Sequence, residues 1–427
     1  MSENGSSRLR VRDRSRPLDV ILWGATGFTG QLVAEYLLEA TRGGDLRWAL
    51  AGRSEDKLRR VRDDLAKIDP RAAELPIRLG DSHDATALSK LAAEASVICS
   101  TVGPYARYGG PLVAACVEHG TDYCDLAGET QWIRRMIDAH HEEAQRTGAR
   151  IVPCCGFDSI PSDVGTFMLQ EHALAEHGAP CSEIKFFAGR SRGSASGGTI
   201  QSIFNLVDEA KRDRSVLSAI GNPYALNPEG ERRGPDRSDQ KGVRFDPDLG
   251  EWTGPFVMAA INTRVVRRSN ALLDYRYGKD FRYSEVAAFG AGPRGALRAS
   301  GMAAGLSAFL AAAAVGPARN LLARRLPSPG EGPDREARER GFFIVHLVGK
   351  GHDAQGKPFE LRGRVEGKRD PGYGETAKML GESALCLAVD GASLDAAGGL
   401  LTPAATMGQR LLERLRAADM VFEVRAV

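Results

Sequence analysis

The sequence predicts an α/β chain in which a doubly wound parallel sheet is followed by an α+β region with a mostly antiparallel sheet. Over the first 155 residues, short apolar runs alternate with amphipathic helical segments, as in parallel strands joined by crossover helices. After about residue 160 this rhythm gives way to longer runs of alternating polarity. A chain of 427 residues has room for two or three domains.

The parallel sheet is expected to take its strands from six apolar runs, at 19–23, 46–51, 75–79, 96–101, 122–126 and 150–154. The helices between them are expected at 28–40, from Glu55 onward, at 110–119 and at 130–147. Right-handed crossovers place such helices on both faces of the sheet, so its strands are expected to be buried.

The second region is expected to have strands at 183–189, 257–267, 281–289, 341–349 and 358–367, and a helix at 199–212. The polar turn 352–357 predicts a hairpin between the last two strands. Two stretches rich in Gly, Pro and charged residues, 221–255 and 327–340, are predicted as loops, the first as a long loop or lid. The C-terminal part of the chain is predicted to be helical over 373–416, with a final strand at 420–427.

The charge and cysteine content exclude several classes of function. The net charge is only +2, so no overall basic field favours nucleic-acid binding. The seven cysteines show neither CxxC nor zinc-type spacing with histidine, so no metal site is predicted. Scattered thiols in apolar surroundings are typical of a reduced compartment, and the expected location is the cytoplasm.

One uncharged segment leaves two interpretations open. Residues 299–318 carry no charge over a length that can cross a bilayer, but they are mostly Ala and Gly. The first interpretation is a buried or groove-lining helix. The second is a peripheral membrane or lipid contact through 299–325, supported by the basic residues at its end.

The motif with the clearest chemistry is a glycine pattern after the first strand, at the start of the first helix. Such glycines let the backbone approach a pyrophosphate, and the helix N-terminus attracts it. The predicted phosphate-binding residues are Gly24, Ala25, Thr26, Gly27, Phe28, Thr29 and Gly30.

The end of the second strand favours NADPH over NADH as the cofactor. A site for NADH usually has a carboxylate there, but this sequence has Arg53. A guanidinium binds a 2′-phosphate with two hydrogen bonds, and Ser54 and Lys57 can add contacts. Asp81, after the third strand, is expected either at the adenine edge or as a cap of the next helix.

A further loop follows the fourth strand, at the sheet edge where ligands bind in this fold class. Its predicted cofactor contacts are Ser100, Thr101, Val102, Gly103 and Pro104. Tyr105, the next residue, is expected either to meet the nicotinamide or substrate, or to pack in the core.

The candidate catalytic residues are Tyr105, Asp158, Ser159 and Tyr373. Asp158 and Ser159 follow the sixth strand, before Ile160-Pro161. Helix capping is the alternative for Ser159 and for Asp163. The glycines at 197–198, with Thr199, predict either a carboxylate or phosphate site, such as one for a phosphopantetheine arm, or a simple N-cap.

The chain resembles the saccharopine-dehydrogenase-like oxidoreductases, and within them the group of mycobacterial trans-acting enoyl reductases. The motifs that carry the resemblance are GATGFTG (24–30), AGRS (51–54), STVGPY (100–105), YCDLAGE (123–129), GFDSIPSD (156–163), SGGTIQS (196–202), PSPGEGP (327–333), GYGETAKMLGESAL (372–385) and LLTPAATMG (400–408). The resemblance implies reduction of an enoyl intermediate passed on in trans by a polyketide synthase, with substrates that belong to phthiocerol-type lipids.

These observations predict four segments: a flexible basic tail (1–17), a Rossmann-type NADP-binding domain (18–158), an α+β substrate domain (159–372) and C-terminal helices with a strand that pack back on both domains (373–427). The expected activity is NADPH-dependent reduction of an enoyl or related acyl lipid by hydride transfer. Two alternatives are a saccharopine-type amino-acid dehydrogenase and a non-catalytic nucleotide-binding protein on lipid surfaces.

Overall fold

A computed structural model describes residues 15–193, 197–324 and 332–426 of the chain. Its first half contains alternating strands and helices: β1 (Leu18–Trp23), α1 (Phe28–Ala40), β2 (Trp48–Gly52), α2 (Glu55–Ile68), β3 (Ile77–Leu79), α3 (Ala85–Glu94), β4 (Ala95–Ser100), α4 (Tyr105–Glu118), β5 (Asp122–Cys124), α5 (Thr130–Thr147), β6 (Arg150–Val152) and α6 (Ile160–His177).

The second half is less regular. Its elements are β7 (Glu183–Arg192), α7 (Gly197–Arg212), α8 (Arg214–Gly221), β8 (Arg244–Asp246), β9 (Glu251–Pro255), α9 (Ala259–Leu272), β10 (Arg282–Ala288), α10 (Gly292–Ala314), α11 (Gly316–Ala323), α12 (Arg335–Glu339), β11 (Phe342–His352), β12 (Pro358–Gly367), α13 (Gly374–Val389), β13 (Gly399–Leu400), α14 (Pro403–Ala417) and β14 (Val421–Ala426).

Two seven-stranded sheets confirm the predicted fold class. The first has the order β13-β6-β5-β4-β1-β2-β3 and is parallel throughout. Its central strand β1 is buried at every position, as expected for a strand covered on both faces. The second has the order β14-β12-β11-β7-β10-β9-β8, and only β7 and β10 pair in parallel.

The chain forms two compact units. The first comprises the residues up to Ala127, Arg135–Gly156 and Ala377–Arg414, and the second comprises Gly128–Arg134, Phe157–Thr376 and the residues from Leu415 onward. The change of unit near Gly156 lies close to the predicted boundary at 158. The segment 128–134 belongs to the second unit, and the C-terminal segment is shared between both.

The prediction of a strand at 257–267 is wrong, because this stretch forms the helix α9. Almost every residue of α9 is buried, including Arg264, Arg267 and Arg268. A helix buried on all sides lacks a polar face, so its sequence shows no helical periodicity. The short continuous apolar run from Phe256 to Ile261 imitates a buried strand instead.

The predicted loop 221–255 contains the short strands β8 and β9, and its first part is held in place by these arginines. Arg264 and Arg267 bind the carboxylates of Asp239 and Asp236, and Arg268 donates to the Leu226 carbonyl. A segment anchored by buried, charge-assisted hydrogen bonds is a fixed part of the unit, so the lid interpretation is not supported.

Other expectations need smaller corrections. Helix α4 begins at Tyr105 rather than at 110, although Pro111 lies inside it. The predicted loop 327–340 contains the short helix α12, and residues 325–331 lie outside the described residues. Of the predicted tail, residues 1–14 lie outside as well. Arg16 is not a solvated arm residue, because its guanidinium donates to the carbonyls of Ala92, Ala95 and His119.

Candidate functional site

The loop that follows β1 is tightly fitted at two of its three glycines. Gly24 has φ +92°, and a Cβ there would lie 2.6 Å from Val102 Cγ2. A Cβ on Gly30 would lie 2.1 Å from the Gly24 carbonyl oxygen, well inside contact distance. These two glycines are therefore required by the fold itself, for the turn and for the close approach of α1.

Gly27 is different, because no neighbour requires a glycine there. It is exposed, has φ −75° and forms the N-cap of α1 without a side-chain cap. A Cβ on it would meet its nearest neighbour, the Gly24 carbonyl oxygen, at 3.4 Å, an ordinary contact. The missing side chain keeps the helix N-terminus open, which fits the approach of a pyrophosphate.

Arg53 extends from the end of β2 into solvent. Its side chain is 75% exposed, and its nearest described acidic neighbour is Asp81, at 3.9 Å between Nη1 and Oδ2. A guanidinium has five N–H donors, so this loose ion pair leaves donors for a 2′-phosphate. Ser54 caps α2 by accepting from the Lys57 backbone N–H, so its hydroxyl oxygen is already used in the fold.

Asp81 does not cap α3, which corrects one of the two expectations for it. The N-cap of α3 is Asp84, which accepts from the Ala87 N–H. Asp81 instead accepts from the His83 N–H and lies beside Arg53. Its carboxylate is thus placed to orient the guanidinium. The other expectation, a contact with the adenine edge, stays a prediction.

The loop that follows β4 supports the glycine loop. The Thr101 hydroxyl lies 3.2 Å from the carbonyl oxygens of both Trp23 and Gly24, and Val102 covers Gly24. Ser100 is buried and accepts from the Val102 N–H. Gly103 and Pro104, joined by a cis peptide bond, lead into α4. This loop therefore fixes the shape of the predicted phosphate site from behind.

The hydroxyl of Tyr105 is engaged inside the first unit. It donates to the Ser100 carbonyl at 3.1 Å and accepts from the Leu126 N–H at 3.2 Å, and the residue is 5% exposed. These contacts support the packing alternative that the sequence left open. Tyr105 holds the start of α4 against the ends of β4 and β5.

In the second unit, Asp158 is the candidate with an unusual acidity. It precedes the first turn of α6, and burial raises the pKa of its carboxyl to about 7. The Asp158 Oδ1 atom would lie 4.0 Å from a Cβ on Gly128, so it is close to the backbone of that glycine. A carboxylic acid that stays protonated near neutral pH can act as a proton donor.

Ser159 occupies the N-cap position of α6, but its side chain caps nothing, so the capping alternative is wrong for it. Its hydroxyl donates instead to Asn262 Oδ1 at 3.0 Å. The amide of Asn262 donates to Glu285 Oε2 at 3.0 Å, and the Tyr283 hydroxyl donates to Glu285 Oε1 at 2.8 Å. We call these four residues, Ser159, Asn262, Tyr283 and Glu285, the buried chain.

Glu285 is the acidic member of the buried chain and lies between Asn262 and Tyr283. It is 2% exposed, and burial raises the pKa of its carboxyl to about 7, against the opposing effect of its hydrogen bonds. Sequence reasoning missed both Glu285 and Asn262. A signal was present for Glu285, because it shares strand parity with Tyr283 and therefore faces inward on β10.

The remaining candidates are buried in the second unit. Asp163 accepts a hydrogen bond from the Ser269 hydroxyl, which joins α6 to α9, and it lies inside α6 rather than at its N-cap. Tyr373 is 3% exposed, and its backbone N–H donates to Asp370 Oδ1. Thr199 lies inside α7 rather than before it, and Ser196 lies outside the described residues.

Comparison with known proteins places this arrangement in a family. Residues 20–152 match the family described as saccharopine dehydrogenase NADP binding domain. Over 420 residues the chain is 40% identical to the trans-acting enoyl reductase of Mycobacterium tuberculosis, a match covering 95% of this chain and 97% of the relative. The chain belongs to the trans-acting enoyl reductase family.

Other relatives agree with this assignment. The trans-acting enoyl reductase of Mycobacterium ulcerans is 39% identical over 416 residues, covering 95% of this chain and 97% of the relative. Among solved structures, apo saccharopine dehydrogenase from Saccharomyces cerevisiae has a similar fold, with a TM-score of 0.52 at 13% identity, covering 96% of this chain and all of the other.

The first unit is thus an NADP-binding domain, and the protein is an NADP-dependent oxidoreductase. The described residues fit NADPH on two counts. Gly27 leaves the N-terminus of α1 open where a pyrophosphate binds in such domains, and Arg53 carries an exposed guanidinium at the end of β2, where the sequence predicts the contact with the 2′-phosphate.

Proposed function

We propose that this protein reduces the α,β double bond of an acyl thioester presented by a carrier, such as that of a polyketide synthase, at the expense of NADPH. The observation that carries the proposal is the full-length likeness to relatives named trans-acting enoyl reductase. A saturated acyl thioester and NADP⁺ are the products. We further propose that the enzyme acts in the cytoplasm, as its scattered cysteines suggest.

The reaction requires a hydride at the β-carbon and a proton at the α-carbon, with stabilisation of the enolate formed between the two steps. NADPH supplies the hydride when it is bound. In this proposal Asp158 supplies the proton, since a carboxyl with a pKa of about 7 is both available and acidic enough at neutral pH.

In the proposal, Ser159 is a positioning residue. Its hydroxyl proton is directed at Asn262 and cannot at the same time stabilise a substrate oxygen. The buried chain fixes the N-terminus of α6 and, through the adjacent backbone, the direction of Asp158. Tyr105 holds the start of α4 in a similar way within its own unit.

The three arginines of α9 are not available to bind the substrate of an amino-acid dehydrogenase, the alternative activity. Such an enzyme needs arginines that bind the carboxylates of its substrate. Arg264, Arg267 and Arg268 are buried, and each binds carbonyl or carboxylate groups of the protein itself. They stabilise the segment that follows α8 and are engaged within the fold.

The test is a substrate comparison followed at 340 nm with purified protein. We expect NADPH to be consumed with a trans-2-enoyl thioester of a long acyl chain on pantetheine or a carrier protein. We expect no consumption with an α-keto acid and glutamate. Turnover of the second pair in the absence of turnover of the first would replace enoyl reduction with amino-acid chemistry.

A further inference from the structure

Helix α10 has an exposed apolar surface that no described part of the chain covers. Eleven large hydrophobic side chains of the described residues are exposed, and five of them lie between 297 and 321. They are Leu297 (75% exposed), Met302 (51%), Leu310 (44%), Val315 (55%) and Leu321 (55%). Such a concentration marks an interaction surface, because scattered exposure would be spread along the chain.

Only one narrow stripe of α10 is bound to the rest of its unit. Gly295, Ala299 and Ala313 are its buried residues, and Phe309 stacks on Phe204 of α7 with ring centroids 6.4 Å apart. Arg319 of α11 lies over the same Phe204 ring and pairs with Asp208. A Cβ on Gly254 of β9 would lie 3.6 Å from the Ala299 carbonyl oxygen, so one side of the helix is docked on both β9 and α7.

The opposite side of α10 is apolar from Leu297 onward. The exposed positions at helical spacing on this side are Leu297, Gly301, Ala304, Ala308, Ala311 and Val315. The helix is long and apolar enough to cross a membrane, yet one of its sides is bound to protein and its first turns contain Arg294 and Arg298. These features favour a helix that lies along an interface over one that spans a bilayer.

The charges carried by the α10–α11 segment itself have one sign, and the nearby Asp208 of α7 is paired with Arg319. No Asp or Glu occurs anywhere from 286 to 330, while Arg294, Arg298 and Arg324 are exposed at the two ends of the α10–α11 segment. A surface with apolar side chains between arginines, and without acidic residues, complements an anionic lipid headgroup layer. A second copy of the same surface would bring no acidic partner to these arginines.

We propose that the exposed face of α10 and α11, centred on Leu297, Met302, Leu310, Val315 and Leu321, binds the surface of an anionic lipid bilayer. The helix lies in the headgroup region with its arginines beside lipid phosphates, and its docked stripe stays on α7. This attachment concerns where the enzyme works, and it does not depend on the reaction that we propose above.

Vesicle flotation of the full chain tests the proposal without any enzymatic readout. We expect the protein to float with phosphatidylcholine vesicles that contain about a third phosphatidylglycerol. Flotation with phosphatidylcholine alone is expected to be at least about fivefold weaker, as is flotation in 0.5 M salt, which screens charges beyond about 4 Å.

Two variants separate the apolar and the charged contributions. Leu297→Asp with Val315→Asp, and separately Arg294→Glu with Arg298→Glu, should each reduce flotation at least about tenfold. The matched controls are Val389→Glu, an exposed hydrophobe in the other unit, and Lys241→Glu with Arg244→Glu, an equal charge change elsewhere. Circular dichroism of each variant establishes that it is folded.

Three results would overturn the proposal. The first is equal flotation with neutral and anionic vesicles. The second is an equal loss in the control variants. The third is a wild-type protein that does not float but sediments as a dimer, and that becomes monomeric in the Leu297→Asp, Val315→Asp variant. That result would assign the surface to a second copy of the chain.

Discussion

In the first compact unit the candidate cofactor site is made of backbone, whereas in the second unit the candidate catalytic group rests on side chains from three distant segments. Gly24, Gly27 and Gly30 lie within seven residues of one another. Ser159, Asn262 and Glu285 are separated by up to 126 positions. We therefore expect substitutions in the first unit to act mainly through steric clashes, and substitutions in the second unit to act mainly through proton binding.

The largest effect is expected at Asp158. Replacement by Asn removes the proposed proton donor, and general acids contribute about 10²- to 10⁴-fold to a rate. We expect kcat for enoyl reduction to fall by that factor, with an unchanged Kd for NADPH measured by fluorescence titration. In the wild type, kcat should fall as the pH rises through about 7, where the acid loses its proton. A wild-type rate that rises over this range would exclude Asp158 as the donor.

A pair of alanine variants compares a glycine that the fold requires, Gly30, with one that it does not require, Gly27. Gly30→Ala places a Cβ 2.1 Å from a carbonyl oxygen and should lower the free energy of unfolding by about 3 kcal/mol. Gly27→Ala meets only an ordinary contact and should change it by less than about 0.5 kcal/mol. Chemical denaturation measures both changes.

A larger side chain at Gly27 should impair NADPH binding without impairing folding. Gly27→Val should abolish NADPH binding in a protein that remains folded, because its branched side chain covers the N-terminus of α1. Normal NADPH affinity in this variant would show that the glycine pattern serves the fold alone.

In the second unit, Glu285→Gln should change how stability depends on pH. The pKa of the Glu285 carboxyl is about 7 in the folded protein and 4.5 for an ordinary Glu, so between these pH values the unfolded chain releases a proton that the folded chain keeps. Wild-type stability therefore falls as the pH rises through this range, by up to about 3 kcal/mol from this group. Urea denaturation at pH 5 and pH 8 measures this dependence. Between these two pH values the free energy of unfolding of the Gln variant should fall by about 3 kcal/mol less than that of the wild type. An identical pH dependence in both proteins would contradict the raised pKa.

The smallest effect is expected at Arg53. Charge-assisted hydrogen bonds contribute about 1.5–3 kcal/mol, so Arg53→Asp should weaken NADPH binding by about 10- to 100-fold. NADH affinity should stay the same or improve, and Arg53→Lys should fall between the two for NADPH. Equal losses for NADPH and NADH would refute the contact with the 2′-phosphate.

The first unit was readable from sequence because its determinants are local. The apolar run at Val20–Leu22 and the glycines that follow predict a strand, a turn and a helix without reference to the rest of the chain. The observed strand ends differ from the predicted ones by at most two residues. Helix α4 begins earlier than predicted, at Tyr105, whose hydroxyl bonds to the Ser100 carbonyl and the Leu126 N–H.

The second unit was less readable because its determinants are tertiary. Three arginines inside α9 look like a solvent-facing charge pattern, but they bind carbonyls and carboxylates that lie 25 to 44 residues earlier in the chain. The same holds for Glu285, whose partner Asn262 comes from α9. The sequence could not predict whether α10 is buried or exposed, because an Ala-rich helix has too few large side chains to indicate which side is covered.

We propose hydride transfer from NADPH to an enoyl thioester, and the fate of a deuterium label on NADPH is the decisive measurement. The protein is incubated with NADPH carrying deuterium at C4 and a carrier-bound 2-enoyl thioester, and the product is analysed by mass spectrometry and NMR. We predict a saturated thioester with one deuterium at the β-carbon, and none in the Gly27→Val variant. Oxidation of NADPH without deuterium in the acyl chain, or deuterium at a carbonyl or imine carbon, would contradict the claim.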